Sequence, residues 1–237
     1  MKSNYALPIT IIIAGALIAG AIYFSNTKQV AQNDGTPQKT SIRPYDPTVD
    51  HILGNPNASV KVIEYADLEC PYCSVFEKTM HQIMDYYGTS GNVAWVYRPL
   101  PLTQIHSKAP KEAEAAECAA EQGGDVAFYK YIDGVYAVTP GENNLDLAQL
   151  PLIAGKIGLD VTAFNQCLAS GKYAAKVQKS VDEAMKAGAQ GTPFTLITIG
   201  GEAVTLSGAQ PYDSMRAAID TVLQYAPGAT STPTSMQ

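Results

Sequence analysis

Hydrophobic and polar positions divide the chain into stretches of clearly different period. Residues 6–24 (ALPITIIIAGALIAGAIYF) are apolar throughout and carry no charge. At ~1.5 Å of rise per residue, a helix of that length would span ~28 Å, close to the ~30 Å hydrocarbon core of a bilayer. The run closes on Ile22, Tyr23 and Phe24, with aromatics where a membrane interface would lie. The pattern predicts an uncleaved transmembrane helix or signal anchor, with residues 1–5 on the cytoplasmic side. Residues 25–48 are polar, lack an apolar period and read as a flexible tether, and residues 227–237 (PGATSTPTSMQ) read as a disordered tail. A folded domain is expected from about Val49.

Within that domain, Val60 to Ala66 (VKVIEYA) alternates and then runs apolar with β-branched residues, which predicts a strand. Asp67-Leu68-Glu69 turns into a helix from about Cys70, with apolar positions at Phe76, Met80, Ile83 and Met84 and a stop near Gly88. A second strand follows over 92–97, completing a βαβ unit. The period then becomes helical over 109–122, 125–136, 145–157, 160–170 and 173–187. Strands at 192–199 and 202–206 are joined across Gly200-Gly201, and a helix spans 211–225. The expected fold is α/β: a βαβ and ββα shell at 49–102 and 188–226, interrupted by helices at 103–187.

Composition narrows the function. A net charge of −6 and a pI near 5.0 leave no basic stripe for a nucleic-acid partner. Cysteine count and placement matter more. Cys70-Pro71-Tyr72-Cys73 puts two thiols one turn apart at a helix start, close enough to close a disulfide and near the unpaired N–H groups that stabilise a thiolate. Cys70, the first and more open of the two, is the candidate nucleophile, and Cys73 the resolving thiol. Pro71 suits the first helical turn, where its missing N–H has no partner to lose. A zinc half-site would need further ligands. No second Cys-x-x-Cys or paired histidine follows, so no metal and no other cofactor is expected. His51, His81 and His106 show no ligand spacing and read as surface or capping residues.

Glu64, six residues before Cys70, reads either as an ordinary strand-face carboxylate or as a partly buried acid that carries protons to the pair. Thr192-Pro193 opens the third strand. Proline there suits an edge or turn, and composition alone favours the trans bond. Cys118 and Cys167 fall in the helical block, either as small buried apolar residues or, in an exported chain, as a disulfide contributing roughly 4 kcal/mol.

The segments VIEYADLECPYC, EAAECAAEQGG, IGLDVTAFNQCLASG and Gly191-Thr192-Pro193-Phe194 together resemble the DsbA-like family of thioredoxin-fold disulfide oxidoreductases over roughly residues 50–225. The resemblance implies a thioredoxin fold interrupted by a helical domain. It also implies a cis Pro193 facing the active disulfide, a Thr192 that tunes reactivity and substrate contact, a Glu64 acting beneath the site, and a second disulfide at Cys118 and Cys167. Expected substrates are exported proteins with free thiols, and the expected redox partner is a membrane quinone reductase of the DsbB or VKOR type. The domain would lie on the periplasmic or extracellular side of the cytoplasmic membrane, as a single-pass protein.

Tyr72 departs from the histidine of strongly oxidising members and gives the Pro-Tyr dipeptide of the isomerase-related DsbG proteins. Residues 25–48 are too short and polar to supply the dimerisation domain of those relatives, so a monomer is expected. Other readings stay open beside disulfide introduction: an isomerase or reductase, a module that holds Cu(I) or Zn(II) at Cys70 and Cys73 without turnover, and a protein whose cysteines form inert bridges.

Overall fold

The computed structural model describes residues 38–39 and 42–225. The expected anchor at 6–24 and the expected tail at 227–237 lie outside the described residues. Among the described residues no helix is long and apolar enough to cross a membrane.

Six strands form one sheet: β1 (Gln38–Lys39), β2 (His51–Gly54), β3 (Val60–Ala66), β4 (Val93–Pro99), β5 (Phe194–Ile199) and β6 (Glu202–Ser207), in spatial order β1-β6-β5-β3-β4-β2. Only β3 and β4 run parallel, joined by helix α1 (Pro71–Tyr87) as the βαβ pattern predicts, and the other pairings are antiparallel. Between β4 and β5 lie the inserted helices α2 (Ala109–Val138), α3 (Gln149–Lys156), α4 (Val161–Ser170) and α5 (Ala174–Lys186), and α6 (Tyr212–Leu223) follows β6. The two helices expected over 109–122 and 125–136 are one element broken at Gly123-Gly124. Gly124 there takes φ 63° and ψ −154°, a backbone open in practice to glycine. Asp160 caps α4 by accepting from the Thr162 and Ala163 amides.

The central strand β3 is buried on both faces. Val62 and Ala66 pack with Phe76, Met80 and Ile83 of α1 and Met215, Ile219 and Val222 of α6. Ile63 and Tyr65 face the other way, toward Val96, Leu196 and Ala184. Each such fully buried side chain contributes ~1.5–3 kcal/mol. The same alternation turns Glu64 toward α1, underneath the thiol motif.

One expectation needs correction at the amino-terminal edge, and one strand there was not foreseen. Part of the segment read as a tether belongs to the domain: Gln38 and Lys39 pair with Ala203 and Glu202, and Arg43 forms ion pairs with Asp50 and Glu183. Backbone pairing and ion pairs leave no apolar period, so a polar segment can be held without announcing it. Strand β2 has only four residues and begins where the polar stretch ends, too short for an alternation to register.

Candidate active site

Cys70 stands at the N-cap of α1 in an extended conformation (φ −80°, ψ 120°), with Pro71 in the first turn. Cys73 is one turn in, fully buried, while Cys70 remains 6% exposed. Both thiols are free. Their environments drive them apart. The Cys73 thiol donates to Cys70, and together with the Thr192 side chain and the backbone amides of Cys73 and Tyr72 this brings Cys70 down to about 6 against the opposing effect of burial. Burial, the same hydrogen bond to Cys70 and the negative charges of Cys70 and Glu64 push Cys73 well above the ordinary thiol range. At neutral pH the outer sulfur is a thiolate and the inner one a thiol.

Register explains why Thr192 reaches the pair. Strand β5 begins with Phe194 opposite Tyr65, so the two residues before it run beside the segment that leads into Cys70. The Thr192-Pro193 bond is cis, as the resemblance implied and composition did not, and the Thr192 carbonyl lies 3.6 Å from Cys70 Sγ. The Tyr72 ring points outward, 68% exposed, while its backbone amide bears on the Cys70 sulfur.

Glu64 is fully buried. Its Oε2 accepts from Trp95 Nε1 at 2.9 Å, and its Oε1 has no hydrogen-bond partner. Burial first, then the neighbouring Glu77, raise its pKa well above the usual carboxylate range. Such burial favours the protonated form of the acid. The ordinary strand-face reading does not fit a carboxylate sealed from water.

Sequence reasoning missed the residues that shape the loop before Cys70. The Asp67 amide lies 3.5 Å from Cys73 Sγ, and its buried carboxylate accepts from Glu69 N (2.8 Å), Leu102 N (2.7 Å) and His106 Nδ1 (2.9 Å). Glu69, also buried, accepts from Leu145 N, Asn144 N and Thr139 Oγ1, fastening the loop between α2 and α3 to the residue before Cys70. His106, read as a surface or capping residue, is not at the surface: it is 6% exposed and ties the β4–α2 loop to Asp67. His51 stacks on Phe128 between Glu117 and Asp125. Apart from the contacts of Asp67 with Glu69 and Cys73, these partners lie more than thirty residues apart in the chain, and no local motif marks them.

Cys118 of α2 and Cys167 of α4 are bonded, with Cα atoms 5.8 Å apart. They play no part in the geometry around Cys70, and they staple two helices of the insertion.

The Thioredoxin family model matches residues 47–221. Among solved structures, the chain is similar to DsbA2 of Pseudomonas aeruginosa (28% identity, TM-score 0.62, covering 73% of this chain and 94% of that one). It is similar as well to alpha-DsbA1 of Wolbachia pipientis (26% identity, TM-score 0.65, covering 74% and 92%). Oxidised BdbD from Bacillus subtilis shares the fold at TM-score 0.67 and 20% identity, covering 79% of this chain and 100% of that one. A curated relative, the Na(+)/H(+) antiporter NhaA 3 of Salinispora tropica, is 39% identical over 150 residues, which is 63% of this chain and 22% of that protein. This chain thus matches about a fifth of the antiporter's length.

Proposed function

This chain belongs to the thioredoxin family, with the DsbA-like helical insertion, and on that premise we propose that it is a thiol-disulfide oxidoreductase that introduces disulfides into exported proteins. The observation that carries the reading is the inequality of the two thiols, with Cys70 down at about 6 and Cys73 held up. A stabilised Cys70 thiolate favours the reduced pair, and so makes the oxidised pair a strong acceptor of electrons.

A substrate thiolate attacks Cys70 Sγ of the Cys70–Cys73 disulfide. The substrate–Cys70 bond forms, the Cys70–Cys73 bond breaks, and the leaving Cys73 sulfur takes up a proton. The second substrate thiolate then attacks the substrate sulfur of the mixed disulfide, releasing oxidised substrate and the Cys70 thiolate. Two electrons have passed to the pair, and a membrane quinone reductase of the DsbB or VKOR type would remove them.

The proposed setting is the cytoplasmic membrane, held through residues 6–24, with the domain acting as a monomer on the periplasmic or extracellular side. The Cys118–Cys167 bond supports an oxidising space. Transport is not proposed, because the antiporter match covers only 22% of that protein. The Pro71-Tyr72 dipeptide between the cysteines, which resembles that of the isomerase-related DsbG proteins, favours a second reading, an isomerase or reductase acting in the same compartment.

The test is the equilibrium reduction potential of the pair against glutathione, joined to two variants. Cys70→Ser should abolish dithiol oxidation, and Cys73→Ala should accumulate mixed disulfides. Normal turnover in either variant would sink the assignment. A potential far below that of the glutathione pool would favour the reductase, at ~1.4 kcal/mol for each ~30 mV of this two-electron couple.

A further inference from the structure

Glu77 and His81 stand four residues apart on α1 and share a face, and Asp133 of α2 meets them where the active-site helix packs on the insertion. His81 Nε2 lies 2.8 Å from Asp133 Oδ1 and 3.3 Å from Glu77 Oε1, and one donor atom from each residue falls within 4.8 Å of the other two. The Glu77 side chain is only 5% exposed, and apart from the 3.3 Å approach of His81 to Oε1 neither of its oxygens has a hydrogen-bond partner. A carboxylate buried in that way calls for a proton or a cation. Trp95 sets its ring against His81 edge to face, with centroids 5.5 Å apart, which fixes the imidazole. The His81 and Asp133 side chains stay 40% and 42% exposed, leaving a way in from solvent.

Around a tetrahedral zinc ion with bonds of ~2.0–2.1 Å, neighbouring donors sit ~3.3 Å apart. The observed edges of 3.3 Å and 2.8 Å need only a slight opening to match. We propose that Glu77, His81 and Asp133 form a zinc-type divalent-cation site, two carboxylate oxygens and one imidazole nitrogen with the fourth position open to water, bridging α1 to α2.

In the ion-free protein, protons stand in for the cation. Asp133 and then Glu77 push His81 up to about 10, and burial pushes Glu77 up to about 8. A bound cation needs the imidazole nitrogen and both carboxylates deprotonated, so binding releases protons and affinity rises with pH. The other titratable groups bearing on Glu77 and its neighbours are Glu64 of β3, Tyr97 of β4, and Tyr129 and Tyr136 of α2. All four are buried, and burial disfavours the charged form of each.

The full chain is titrated with zinc chloride by calorimetry in its oxidised form, where Cys70 and Cys73 are bonded to each other and cannot act as ligands. Cobalt(II) provides a second readout, because it quenches a nearby indole and Trp95 is the only tryptophan. The expected result is one equivalent bound, proton release, quenching that saturates with the binding, and affinity lowered at least ~10-fold in His81→Ala and in Asp133→Asn. Both positions are half-exposed, and if one variant fails to fold the other carries the comparison. No saturable binding by the unsubstituted protein, or unchanged affinity in the folded variants, overturns the site and leaves a proton-bridged ion pair in its place. Either result is independent of whether the thiol pair oxidises or reduces its substrates.

Discussion

The molecule holds two cysteine pairs of the same elements in opposite circumstances. Cys118 and Cys167 lie within two helices whose backbone amides are already committed to helical hydrogen bonds, and their sulfurs are bonded to each other. Cys70 and Cys73 lie at the start of one helix, where amides without helical partners face the outer sulfur, and both thiols are free. Reactivity is therefore not a property of cysteine but of the groups around it. A thiolate needs unspent N–H donors and a second thiol that cannot itself ionise, whereas a staple needs neither.

The sharpest way to break the contrast is to remove the staple. Replacing both Cys118 and Cys167 with Ala should lower stability by roughly 4 kcal/mol in chemical denaturation while leaving the exchange rate of folded protein unchanged. Loss of exchange in protein that is still folded would mean that the two pairs are not independent.

A smaller effect should follow from removing the inner thiol. In Cys73→Ala the strongest donor to Cys70 is gone, so the thiolate's ultraviolet absorbance should titrate at least ~1 pH unit above the native midpoint of about 6, a loss of at least ~1.4 kcal/mol of thiolate stabilisation. In the unsubstituted reduced protein the sign is fixed. Because Cys70 titrates below an unfolded thiol, the stability it contributes is full above the unfolded pKa and is lost as pH falls through about 6. An unmoved midpoint in Cys73→Ala would show that backbone amides alone hold the thiolate.

The smallest of the three effects concerns Glu64. Glu64→Gln removes a buried acid that does not itself bear on Cys70, although it bears on Cys73. The Cys70 titration should stay in place while attack of a substrate thiolate on the Cys70–Cys73 disulfide, in which the leaving Cys73 sulfur takes up a proton, slows on the order of 10-fold in stopped-flow exchange. Equal slowing of both steps would reduce Glu64 to a packing role.

Much of this was legible from residues 60 to 88 alone. The alternation of VKVIEYA, the proline after Cys70 and the glycine at 88 specify strand, helix start and helix stop locally, and the structure places β3 and α1 there. What sequence could not show is held across long separations. Asp67 meets His106 and Glu69 meets Leu145 through single hydrogen bonds that impose no spacing on their neighbours. The cis bond at Thr192-Pro193 likewise leaves no trace in composition and came only through resemblance. Glu77, His81 and Asp133 escaped because only two of the three share an element, and those two at a spacing common to any helix face.

The Glu69 clamp has a mechanical consequence. The amides of Asn144 and Leu145 end on its carboxylate, and that of Glu142 on its carbonyl, so the loop between α2 and α3 and the residue behind the nucleophile move as one body. A cargo chain that pushes on this loop as it settles into place would deliver its force directly to the reacting sulfur. The insertion is then less a lid over the site than a lever with the thiolate at its tip.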